Sequence, residues 1–124
     1  MIRQLDLVIV TVSDQDAARD FYTEKLGFEV RTDEPYGEGR RWLEVAPPGS
    51  DGKVALVTPM PGGAEPGQDT NVSFTCDDID ADHAALRESG VDIEDVMRMD
   101  PPVPPMAFFR DQDGNRYLLV ERGE

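Results

Sequence analysis

The chain has 124 residues, enough for one sizeable core or two small related halves. Twelve basic against 26 acidic residues leave a formal net charge of −14, with no cluster of Lys and Arg anywhere along the chain. That excludes nucleic acid and anionic membranes as partners, because phosphate recognition needs concentrated positive charge.

The first predicted strand, Asp6 to Val12, ends at Ser13 and Asp14, polar residues able to cap a helix. In the helix that follows, Ala17, Ala18, Phe21, Tyr22 and Leu26 share one face, and Gly27 supplies a left-handed stop. Three strands come next, Phe28 to Thr32, Arg41 to Ala46 and Lys53 to Thr58, with Tyr36 in the glycine-containing loop before the second of them. "PMPGGAEPGQDT" (59–70) has no periodicity and reads as a linker. A second strand–helix pair begins at Asn71 to Cys76, with Asp77 and Asp78 as caps and Ala81, Ala85 and Leu86 on the apolar face before Gly90. Ile93 to Met97, Met106 to Arg110 and Arg116 to Glu121 complete the series, the last two joined by a tight Asp113-Gly114-Asn115 turn.

The halves repeat. Offset by 64, Val8, Thr11, Asp14, Asp16, Ala17 and Glu24 fall on Val72, Thr75, Asp78, Asp80, Ala81 and Glu88. The reading is α+β: two tandem βαβββ modules forming a cup-shaped, partly closed mixed sheet with helices outside. Residues 1–58 form the first module and 71–124 the second, within one domain. No run of about 18 apolar residues could span a bilayer, and the N-terminus lacks the features of a signal peptide. The single Cys76 has no partner for an internal disulfide and suits a buried thiol in a reducing compartment, so a cytoplasmic location is expected. With ten Arg and two Lys, the acidic excess reads either as a solvated surface of a salt-adapted chain or as an attraction for cationic small molecules.

The element order, the duplication, "FYTEKLGFEV" and "FRDQDGNRYLLVE" resemble the vicinal oxygen chelate superfamily, which includes glyoxalase I, extradiol dioxygenases, fosfomycin resistance enzymes and bleomycin resistance proteins. Members with a metal draw their ligands from strand positions facing into the cup. By resemblance, those positions fall on Leu7 in "LDLV", Leu56 in "VALV", Asn71 in "NVSF" and Leu118 in "GNRYLL". Leucine offers no lone pair, and one amide oxygen is too little for Zn²⁺, Fe²⁺ or Mn²⁺. A site with two histidines is also out of reach, since the only histidine, His83, is expected on or near the solvent face of a helix. No metal and no cofactor is therefore expected. A metal-free acid/base enzyme using Glu44 or Asp33 has no supporting motif.

Strand alternation extends the cup floor. If Leu7 faces in, then so do Leu5 and Ile9, Val54, Leu56 and Thr58, Asn71, Ser73 and Thr75, and Arg116, Leu118 and Val120. Such a mostly apolar cavity with a few polar handles suits an organic ligand. Trp42, Tyr36 and Phe108 are candidate stacking walls, and Met60, Met97, Met99 and Met106 are adaptable thioethers near strand ends. The expected ligand-binding set is thus Leu7, Ile9, Tyr36, Trp42, Leu56, Met60, Asn71, Ser73, Met106, Phe108 and Leu118, with no catalytic residue. The resemblance is strongest to the metal-free, antibiotic-binding bleomycin resistance type, which implies a homodimer that sequesters a small organic compound, a cationic or aromatic antibiotic, and so confers resistance. The alternative is a metal-dependent glyoxalase- or dioxygenase-type enzyme with a rearranged site.

Overall fold

Both helices begin on an aspartate in extended conformation. Asp14 and Asp78 each turn a carboxylate back to accept from the backbone N–H three residues on, Ala17 and Ala81, at 3.1 Å. Each cap satisfies one of the donors that a helix start leaves open. The computed structural model describes residues 1–123. In chain order the elements are β1 (Leu7–Thr11), α1 (Gln15–Asp20), β2 (Glu29–Tyr36), β3 (Arg40–Ala46), β4 (Lys53–Val57), β5 (Asp69–Cys76), α2 (Ile79–Glu88), β6 (Asp92–Ile93), β7 (Met106–Arg110) and β8 (Arg116–Glu121). Helix α1 runs on without a break into a π-helical stretch, Phe21–Lys25, before Gly27 turns the chain at φ 75°. Gly90 does the same after α2, at φ 94°.

The chain divides into two compact units, Met1–Gly67 and Gln68 onward. Each holds one four-stranded mixed sheet, in the orders β1-β4-β3-β2 and β5-β8-β7-β6. In each, the first strand runs parallel to the last, and the remaining pairs are antiparallel. The fold is α+β, and the βαβββ grammar read from the sequence holds in both units.

One face of each sheet builds a core. In the first unit Val10, Val12, Leu43, Val45, Val54 and Leu56 are buried together with Ala18 and Tyr22 from the helical segment. Gln15 fastens α1 to the sheet by donating to the carbonyls of Arg41 at 2.9 Å and Leu56 at 2.8 Å. Arg41 adds a second tie, reaching Asp16 at the start of α1 and Asp33 on β2, both at 2.7 Å. In the second unit the rings of Phe74, Phe109 and Tyr117 form one cluster, with centroids 5.2 to 6.3 Å apart.

Several expectations are corrected here. Ala81 and Ala85 are exposed; α2 instead buries Ile79 fully and His83 and Leu86 partly, the i, i+4, i+7 face. His83 lies at the surface as expected, its Nε2 2.8 Å from the Glu94 carbonyl. β2 runs to Tyr36, which therefore lies at a strand end instead of in a loop. β6 is only two residues long, and Met97 pairs with Met106 as a single bridge.

Candidate functional site

Strand register decides which side chains share a sheet face. Ile9 pairs with Ala55, and Ala55 with Glu44, which pairs with Thr32. Val10 pairs with Leu56, so Leu56 belongs to the core face and is fully buried. Its expected place beside Leu7 and Ile9 is thus wrong by one residue. The residue level with Ile9 is Ala55, and the one level with Leu7 is Lys53. Val54 moves to the core face with Leu56, Thr58 lies past the end of β4, and Leu5 lies before β1 and is 81% exposed. Leu7 and Ile9 do lie on the expected face, with Ile9 57% exposed.

The second unit matches its expected parity. Ser73 pairs with Leu118, Thr75 with Val120, Phe108 with Leu118 and Met106 with Val120, so these side chains share the face opposite the aromatic core. The row Ser73–Leu118–Phe108 is the counterpart of Ile9–Ala55–Glu44 under the internal repeat. Asn71 departs from regular strand geometry: the β5–β8 register shifts between Asp69 and Ser73, and Asn71 adopts φ 57°. Asparagine tolerates this left-handed conformation better than most residues.

Two open hollows collect most of the expected residues, one in each unit. The hollow on β5 and β8 holds about 320 Å³ and is lined by Asn71, Ser73, Phe108 and Leu118, together with Asp69 and Arg116. Here the Arg116 guanidinium lies over the Phe108 ring, its Cζ 3.9 Å from the centroid. Asp69 holds that guanidinium in a salt bridge, and the arginine in turn keeps the Asp69 carboxyl below its ordinary range, helped by the Asn71 N–H. The hairpin beneath is anchored by a buried polar turn. Asp111 Oδ1 accepts from the N–H groups of Asp113 and Asn115, Asp111 Oδ2 accepts from Asn115 Nδ2, and Asn115 Oδ1 accepts from the Gln68 N–H, all at 2.9 to 3.0 Å. That network fixes β7 and β8 to each other and to the start of β5.

The hollow on β2 and β3 holds about 390 Å³ and is lined by Tyr36, Trp42, Thr32, Glu34 and Pro35. Met60 and Met106 line neither hollow; Met60 is 46% exposed in the turn after β4, and Met106 shares the face of Phe108. Sequence reasoning missed Arg116 as a partner of Phe108, and Glu34 and Ala55 as face residues. Parity had already put Arg116 on this face, two residues before Leu118, but gave no sign that it would stack on Phe108.

The two carboxylates considered as bases are both engaged. Asp33 accepts from Arg41 at 2.7 and 3.0 Å and pairs with Arg19 at 3.1 Å, and the Arg41 hydrogen bonds hold its carboxyl below the ordinary 3.8. Glu44, with its side chain 12% exposed, accepts from Trp42 Nε1 at 2.7 Å and from Thr32 Oγ1 at 3.2 Å. Cys76 is a poor nucleophile: burial, then the nearby Asp82 and Glu121, push its thiol up to about 11.

Among the described residues the metal of the resembled superfamily has no fitting donor set. Leu7, Leu118 and Ala55 carry no lone pair, and among the described residues no three His, Cys, Asp or Glu side chains gather around a point. Among the same residues no helix is long and apolar enough to cross a membrane.

Residues 4–119 match the model of the Glyoxalase/Bleomycin resistance protein/Dioxygenase superfamily. The sequence is 35% identical over 123 residues to the protein YetH of Bacillus subtilis (strain 168), covering 98% of this chain and 100% of YetH. The fold is similar to the crystal structure of TnmS3, an antibiotic binding protein from Streptomyces sp. CB03234, with a TM-score of 0.87 and 38% identity across 98% of both chains. It is also similar to that of a superfamily member from Sphaerobacter thermophilus DSM 20745, with a TM-score of 0.91 and 36% identity across 98% of both chains.

Proposed function

The chain belongs to the Glyoxalase/Bleomycin resistance protein/Dioxygenase superfamily, and on that premise we propose that it is a metal-free binding protein for a flat or amphipathic organic compound, an antibiotic, which it sequesters so that its host resists it. The observation that carries this reading is the row Ser73–Leu118–Phe108. An apolar side chain stands where a metal-binding relative needs a carboxylate, beside an aromatic ring and within reach of the polar Asn71, Ser73 and Arg116. Burying ligand surface on such a face gains about 25 cal/mol per Å². Lost ligand freedom offsets much of it, so affinity between micromolar and nanomolar follows. Arg116, held over Phe108, offers a planar cation on which a conjugated ring can stack. The similarity to TnmS3 supports a drug-sized ligand. The protein works as a homodimer and turns nothing over.

A thermal-shift screen of aromatic and polycyclic antibiotics tests this. At least one class raises the melting temperature of the wild type, and Phe108→Ala reduces that shift. If no compound class moves the melting temperature of folded wild type, the sequestration reading fails.

A further inference from the structure

Trp42 and Tyr36 form a corner in the first unit, with ring centroids 6.4 Å apart and planes at 72°. At that distance and angle the rings meet edge to face, which leaves aromatic face exposed to the adjoining hollow. The hollow there holds about 390 Å³. Glu34 stands opposite Trp42 in the β2–β3 ladder, so its carboxylate leaves from the same sheet face. The indole is clamped from along its own strand. Its Nε1–H donates to Glu44 at 2.7 Å, and Glu44 is steadied by Thr32 at 3.2 Å and by the Lys53 ammonium at 3.8 Å. A carboxylate on the indole N–H fixes the ring plane and pushes electron density into the ring, which deepens its negative face.

We propose that this corner is a seat for an organic ammonium, a quaternary or fully alkylated amine, with Glu34 as counter-charge and Glu44 as a positioning residue for Trp42. Three observations favour a cation over a neutral apolar group. An open aromatic face attracts a cation through the ring quadrupole, which a neutral apolar group does not exploit. A carboxylate rims the hollow, where a neutral guest has no use for one. The net charge of −14 concentrates cations around the whole molecule. An alkylated ammonium also sheds its water more readily than an inorganic cation. Arg40, level with Tyr36 in the same ladder, opposes the guest from the rim. The seat goes beyond the function proposed above: its residues lie in the other unit, so the two readings can fail separately.

The test uses the intact protein and its only tryptophan, Trp42. Its emission is titrated with choline and with 3,3-dimethylbutan-1-ol, the neutral carbon isostere. Choline changes the emission saturably in the millimolar range, and the isostere binds about ten-fold more weakly. Glu34→Gln weakens choline binding several-fold, while Arg40→Gln strengthens it. Glu44→Gln weakens choline binding and moves the single indole N–H resonance upfield, a signature that general loss of stability does not produce. Equal binding of choline and the isostere overturns the proposal, as does the lack of a saturable response in folded wild type. So does a pair of Glu34→Gln and Arg40→Gln variants that shift affinity in the same direction. If choline fails while aromatic compounds still bind at Phe108, only this inference falls.

Discussion

Replacing Leu118 by glutamate restores the side chain that a metal-binding relative carries, but without the partners that make it a ligand. The new carboxylate lies between Ser73 and Phe108 on the sheet face. A stacked organic guest would strip water from it and meet a charge where an apolar contact stood, at a cost of about 1–3 kcal/mol. Leu118→Glu therefore weakens aromatic ligands about ten- to a hundred-fold, with addition of Zn²⁺ or Mn²⁺ giving no recovery. Equal binding by a folded variant removes Leu118 from the site. Asp33 makes a different prediction, in pH. Its carboxyl titrates below its ordinary value because Arg41 hydrogen-bonds the charged form. A depressed folded pKa adds stability above the unfolded value of about 3.8 and loses it as pH falls through the folded value. Asp33→Asn thus lowers stability at pH 7 by about 1–3 kcal/mol. The gap between variant and wild type closes as pH falls below 3.8, as paired melting curves from pH 7 to pH 2.5 will show. A gap independent of pH rules out the ion pair as its source.

Among the elements, the β7–β8 hairpin depends on its buried turn. Asn115 is 1% exposed and serves Asp111 and the Gln68 N–H at once. Asn115→Ala leaves the Gln68 N–H without its acceptor and removes one of the donors to Asp111, at about 1–3 kcal/mol. Ligand binding on Phe108 and Leu118 should weaken with it, because the two strands lose their common anchor. Unchanged melting of that variant would refute this account of the hairpin. The turn, both helix caps and both stop glycines were legible in the sequence, because each depends on local chemistry that a few neighbouring residues declare. Register was legible only where burial alternates. β5 and β8 alternate well enough for Ser73 and Leu118 to be placed correctly. β4 is buried along four consecutive residues, Val54 to Val57, so its composition gives no parity, and Leu56 was chosen where Ala55 stands. The apolar face of α2 was misplaced because three alanines compete with Ile79 and Leu86, and small side chains carry little pattern. The Arg116–Phe108 stack arises from tertiary placement and has no local signature beyond shared parity.

For the whole molecule, composition and assembly make the claims. Each sheet ends in two edge strands within its own unit, β1 and β2 in one and β5 and β6 in the other. Ile2, Leu5 and Ile9 are exposed beside or on β1. Unpaired edges and exposed apolar side chains are relieved by a second copy. Light scattering at micromolar concentration is expected to give a mass near twice 13.8 kDa, and a mass near 13.8 kDa counts against the dimer. The purified protein should also carry well under one Zn, Fe, Mn or Ni per chain by elemental analysis, with EDTA leaving its melting temperature unchanged. About one tightly held ion per chain would falsify the metal-free reading.

The sequence holds one tryptophan and one cysteine, and the fold separates them: Trp42 lies on β3 of the first unit and Cys76 ends β5 of the second. With its thiol pushed up to about 11, Cys76 stays almost wholly protonated at neutral pH and should meet an alkylating reagent slowly until β5 detaches. Its labelling rate is then a clock for opening of one half, while indole emission times the other. Run together through a denaturant series, the two signals measure how far an ancestral duplication has fused into one cooperative unit. Coincident transitions mean that the halves stand or fall together, and separated ones that each still keeps its own stability.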